Sequence, residues 1–113
     1  MNQLSLFSKD RNVTLRRLKN QIATYYDVLT ENDDKISYSE HIDPHKGYAI
    51  CQMEYEEYVD IKKENLNGIT FDQLFIFLKN SEPHKRLENL KSFLSKRFIK
   101  YESDVFTWHN EDL

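Results

Sequence analysis

The sequence predicts an α+β fold: a small, mainly helical domain with one or two β-hairpins, in the outline of a winged helix. Three observations carry this. Leu15, Leu18, Ile22, Tyr25 and Leu29 recur at spacings of 3, 4, 3 and 4, the apolar stripe of one continuous helix. Thr70 and Gln73 stand at the two ends of a capping box ahead of an apolar run at 71–78. Residues 36–42 alternate, and residues 97–108 read as strand, turn, strand.

Taken in order, residues 1–11 are polar around one short apolar run and lack periodicity, as in a flexible tail. Residues 12–113 then form a single globular domain. The first helix spans about 13–29, with Arg16, Arg17 and Lys19 off its stripe, and acidic, polar residues 30–35 end it. Residues 36–42, a turn at 43–47 and residues 48–53 suggest a hairpin. Residues 54–64 satisfy neither period cleanly and fit strand or helix. Asn67-Gly68 makes a turn. Thr70 caps the second helix, Ile69 and Leu74 form a staple around the cap, and the helix stops near Asn80. Because that helix is apolar nearly all round, it should be central.

Pro83 opens the third helix, in a first turn where a missing N–H costs nothing. Leu87, Leu90, Leu94, Phe98 and Tyr101 form its stripe. The helix either runs to Tyr101 or ends near Lys96 and gives way to a hairpin of 97–101 and 105–108.

Composition narrows the function classes. The 113 residues suffice for one core without disulfides or metal. Cys51 is the only cysteine, which suits a reducing cytoplasm. No secretory signal pattern and no membrane-length apolar run occur in the sequence, so a cytoplasmic protein that does not engage a membrane is expected. Net charge is −3, but it is blocky: +3 over residues 1–30, −6 over 31–66, +4 over 67–101 and −4 over the last twelve. Local fields therefore matter more than the total.

Catalytic chemistry finds little support. His41, His45 and Cys51 lack the closely paired spacing of a zinc site. Asp33-Asp34 and the set Glu54, Glu56, Glu57 and Asp60 read as solvated acidic faces. With only Gly47 and Gly68, no phosphate-cradling loop can form. No nucleophile–base pair stands out, so neither an enzyme nor a cofactor or metal is expected.

A basic face does stand out. On a helix, Lys85, Arg86, Lys96, Arg97 and Lys100 fall within one arc, tempered by only three acids over 67–101. In a winged-helix outline that helix would enter the major groove and supply phosphate contacts.

The most specific signal is Gln3-Leu4-Ser5-Leu6-Phe7. It resembles the peptide by which bacterial replication and repair proteins hold the DNA sliding clamp, whose consensus reads Gln-Leu-Ser/Asp-Leu-Phe, and it matches at all five positions. The resemblance covers these residues only. It implies that Gln3 fixes register in a polar subsite while Leu4, Leu6 and Phe7 fill apolar pockets, each contributing roughly 1.5–3 kcal/mol before ordering costs. Ser5 faces outward. The affinity of such a lone peptide is on the order of micromolar.

Three functions follow as expectations. A replication or repair accessory protein would dock on the clamp through residues 3–7 and contact DNA, a polymerase or a helicase with its folded part. A phage or mobile-element inhibitor would use the same peptide to block the host clamp. A winged-helix regulator would bind DNA through its basic helix.

Overall fold

The computed structural model describes residues 11–45 and 53–109. Five strands form one antiparallel sheet in chain order: β1 (Arg11–Lys19), β2 (Ala23–Glu31), β3 (Lys35–Pro44), β4 (Met53–Lys62) and β5 (Glu102–His109). Between β4 and β5 the chain leaves the sheet to build α1 (Phe71–Lys79) and α2 (Arg86–Lys96), with short 3₁₀ turns at Lys63–Asn65 and Pro83–Lys85. Both helices pack on one face of the sheet.

This corrects the mainly helical, winged-helix expectation: the described chain is mostly strand. The first predicted helix, 13–29, is the β1–β2 hairpin. Its 3-4 spacing was accidental. Val13, Thr14, Ile22, Thr24, Tyr25, Tyr26, Val28 and Thr30 are strand formers whose branched or aromatic side chains fit a pleated surface. A hidden turn breaks the stripe. Asn20 Oδ1 accepts the backbone N–H groups of Ile22 and Ala23 at 2.8 and 2.9 Å, and Asn20 N–H donates to Ala23 O at 3.0 Å. The β2–β3 turn repeats the device: Asn32 Oδ1 accepts from Asp34 and Lys35, again at 2.8 and 2.9 Å. Asparagine side chains thus reverse the chain twice without glycine or proline.

The strand expected from 36–42 is part of β3. Residues 54–62, which fitted either period, belong to β4. The proposed second arm at 48–52 lies outside the described residues. The C-terminal hairpin does not form. α2 ends at Lys96, and β5 pairs with β4 instead, with Val59 opposite Ser103 and Glu57 opposite Val105.

The local signals around α1 hold. Asn67 and Gly68 both take positive φ, 53° and 88°. Gln73 N–H donates to Thr70 Oγ1 at 3.1 Å, and Thr70 N–H donates to Gln73 Oε1 at 2.9 Å, completing the capping box. The helix is not buried all round, however. Phe71, Leu74 and Leu78 face the core while Ile76 is 56% exposed.

The core lies between the helices and one end of the sheet. Leu29, Ile36, Tyr38, Val59 and Ile61 meet Leu66, Phe71, Leu74, Leu78, Leu87, Leu90, Leu94 and Ile99. Strand alternation explains the sheet's share, because Leu29↔Tyr38↔Val59 and Ile36↔Ile61 are cross-strand partners on one face. Among the described residues, no helix is long and apolar enough to cross a membrane.

Candidate functional site

The same inner face changes character beside the core. Its next row across the sheet is Arg16, Asp27, Glu40 and Glu57, each directly opposite the next on the neighbouring strand. Arg16 reaches that face because β1 is irregular between Thr14 and Arg16. Strict alternation from Val13 would point Arg16 outward. The extra residue turns it inward, where Leu15 also packs against the core.

Asp27 is the centre of the row and is fully buried. Arg16 Nη2 donates to its Oδ1 at 3.3 Å, and Arg16 Nε lies 2.9 Å from Oδ2, off the hydrogen-bonding axis. From the helical layer, Arg86 Nη1 donates to Asp27 Oδ2 at 3.2 Å while its Nε donates to Leu78 O at 2.8 Å. Arg86 is 5% exposed. One guanidinium therefore ties the first residue of α2 to the last turn of α1 and to β2. A buried charge needs such a partner set to persist.

Glu40 and Glu57 extend the row with a repeated device. On a strand, residues i and i+2 share a face, so Tyr38 Oη donates to Glu40 at 2.7 Å and Tyr55 Oη donates to Glu57 at 2.6 Å. The two carboxyls are nevertheless shifted in opposite directions. Burial pushes the Glu40 carboxyl above its ordinary range; the Tyr38 bond opposes this and the charge of Asp27 adds to it. The Tyr55 bond draws Glu57 below its ordinary range against burial, helped by Lys91 Nζ at 3.1 Å. Tyr55 is correspondingly raised to about 12. The environment thus separates two adjacent carboxyls, holding the Glu40 proton more tightly and the Glu57 proton less tightly than an exposed carboxyl would.

Over this row opens a cleft of about 360 Å³, lined by Leu18, Tyr25, Ile42 and Tyr55 above Arg16 and Glu40. Its size is at the small end for a ligand pocket. Its charged floor is largely satisfied within the chain, which makes it a fastening between the layers. Sequence reasoning missed the row for two reasons. The bulge that turns Arg16 inward has no composition signature, and Asp27 stands between the inward-facing Tyr25 and Leu29 of β2.

The residues expected to carry function separate in space. Gln3, Leu4, Ser5, Leu6 and Phe7 lie outside the described residues. The basic face dissolves in part, since Arg86 is buried in the row above and cannot reach a phosphate. Lys85 is exposed near Glu82, at 3.9 Å. Lys96, Arg97 and Lys100 are exposed and remain together around the C-terminal end of α2. There the Arg97 guanidinium lies 3.8 Å over the Phe93 ring, which packs against Phe77 at 4.5 Å.

Of the candidate metal ligands, His45, Glu57 and Asp60 are hydrogen-bonded within the chain, and Cys51 lies outside the described residues. In its neutral form His45 donates from Nδ1 to Gln21 O at 3.0 Å and accepts from Thr24 Oγ1 at Nε2, 2.9 Å away. His41 tilts against Tyr26. Asp60 is held by Lys35 and Ser37 on the outer face, whereas Glu57 faces inward. Strand alternation thus sets Glu57 and Asp60 on opposite faces.

No protein-family description, curated protein or solved structure matches this chain.

Proposed function

We propose that the chain is a non-catalytic accessory protein of bacterial DNA replication or repair, acting in the cytoplasm, that docks on the sliding clamp through residues 3–7. The observation that carries this reading is the five-position match of Gln3-Leu4-Ser5-Leu6-Phe7 to the clamp-binding peptide.

The fold adds a geometric consequence. β1 begins at Arg11, four residues beyond Phe7. Even fully extended, that stretch spans about 14 Å. A clamp holding Phe7 would therefore stand close to the β1 side of the sheet. Such a short tether gives the folded part a high effective concentration at the clamp's DNA or at a polymerase or helicase sharing it.

Calorimetric titration of a bacterial sliding clamp with the full chain tests the proposal. Saturable binding on the order of micromolar is expected, lost in a Leu6→Ala/Phe7→Ala variant. Absence of heat, or equal binding by the variant, would refute it.

A further inference from the structure

α2 ends in an unusual way. Phe98 N–H donates to Ser95 O at 3.1 Å and Ile99 N–H to Leu94 O at 3.0 Å, the closing pattern of a helix whose final position is left-handed. That position is normally glycine. Here it is Phe98, at φ +56°, a conformation bulky side chains rarely adopt. Ile99 tucks beneath at 4% exposure while the Phe98 ring is 90% exposed. Packing within the described chain therefore gives no reason for an aromatic at the site where the backbone least favours one.

The surroundings suggest the reason. Lys96, Arg97 and Lys100 bracket Phe98 in sequence, are all exposed, and form no ion pair among the described residues. The residues on either side of Phe98 line two open grooves. One, of about 300 Å³, is lined by Phe77, Phe93, Lys96 and Arg97. The other, of about 490 Å³, is lined by Lys62, Ile99, Lys100 and Tyr101, with Asp60 and Glu102 at its side. Asp60 is already paired with Lys35. The Phe98 ring is thus an open aromatic face flanked by cations, while Arg97 lies over Phe93 and its Nη1 donates to Phe93 O at 3.4 Å.

We propose that this surface binds single-stranded nucleic acid, with Lys96, Arg97 and Lys100 on successive phosphates and the Phe98 ring stacked on an unpaired base. An exposed ring flanked by cations offers what a single strand presents, a base face to stack on and phosphates on either side of it. A duplex would offer its phosphates but hide its bases, leaving Phe98 without a partner. The inference deepens the replication reading by naming what the folded part grips, and it stands on residues that the clamp peptide does not include.

The test is fluorescence anisotropy of the full chain with a labelled oligothymidylate of about 20 nucleotides, longer than the roughly 4–16 that a small site covers. The key variant is Phe98→Gly, which keeps the left-handed turn and removes only the ring. We expect saturable binding that Phe98→Gly weakens about 5- to 150-fold, the range for loss of one stacked base, with a melting temperature equal to or above the parent's. Lys96→Ala/Lys100→Ala should reduce the slope of log affinity against log salt by about 1.4, roughly 0.7 for each lost phosphate contact. No saturable binding, equal affinity in Phe98→Gly, or equal competition by duplex of the same length would overturn the proposal. Leu6→Ala/Phe7→Ala should bind the oligonucleotide as the parent does, so this site and the clamp peptide fail or succeed separately.

Discussion

Replacing Asp27 by alanine should be among the most damaging single changes to this fold. Asp27 has 1% of its side chain exposed, and it neutralises Arg86, whose side chain is 6% exposed, as well as the one-third-exposed Arg16. Arg16 can rehydrate when the carboxylate is lost. Arg86 cannot, because its other bond holds it on Leu78 O inside the helical layer. Stranding one partner of a buried pair costs about 3–5 kcal/mol, at least about a fifth of the roughly 5–15 kcal/mol typical of a domain. With a urea slope of about 1.5 kcal/mol/M, the unfolding midpoint followed by far-ultraviolet circular dichroism should fall by roughly 2–3 M. Converting both partners, Asp27→Leu with Arg86→Met, removes the stranded charge and should cost far less than the sum of the single changes. A loss below about 1 kcal/mol in Asp27→Ala, or simple additivity in the double variant, would show that the row does not fasten the layers as argued.

Three further outcomes are expected. Asn20→Ala and Asn32→Ala each remove two hydrogen bonds from a tight turn. Each should lower stability by about 1 kcal/mol in denaturant titrations, and the two should add because the turns lie at opposite ends of β2. Thr70→Ala breaks the capping box and should cost about 1 kcal/mol, while Thr70→Ser should restore most of it. Glu40→Gln should stabilise the fold near neutral pH. The folded state holds the Glu40 proton more tightly than the unfolded chain does, so this group's contribution is complete at acid pH and lost as pH rises through its raised range. Melting temperatures of parent and variant should converge near pH 4 and separate near pH 7; a constant gap would contradict the burial argument.

Much of α1 and of the turns around it could be read from the sequence. Thr70, Gln73, Asn67 and Gly68 act through bonds to residues within three positions, so their signal is local. The ending of α2 at Lys96 is readable only as one of two outcomes, because Phe98 and Tyr101 continue the Leu87, Leu90 and Leu94 stripe while residues 97–108 also read as strand, turn, strand. The β1–β2 hairpin was not readable by spacing. Its turn depends on one asparagine side chain, and a bulge at Leu15 shifts the alternation that would reveal a strand. Arg86 shows the same limit at the site: a helical wheel places it beside Lys85, yet only the tertiary position of Asp27 decides that it turns inward. Phe98 was assigned to the apolar stripe, whereas the left-handed backbone at that position swings its ring into solvent. Long-range pairing decided each of these positions except Phe98, and single-sequence periodicity does not contain it.

The order of strands also sets the order of assembly on a ribosome. β1 to β4 pair with their sequence neighbours and can close as successive hairpins, each in about 1–10 μs. The apolar end of their shared face must then wait for residues 63–96 to be synthesised. At 5–20 residues per second that takes roughly 2–7 s, far longer than hairpin closure. For that interval the growing chain carries a formed or forming sheet with Leu29, Ile36, Val59 and Ile61 uncovered. The charged row next to them, with Asp27 and Glu40 on the same face, keeps half of that face hostile to another sheet. The residues that later fasten the helices would thus first serve to keep nascent chains apart.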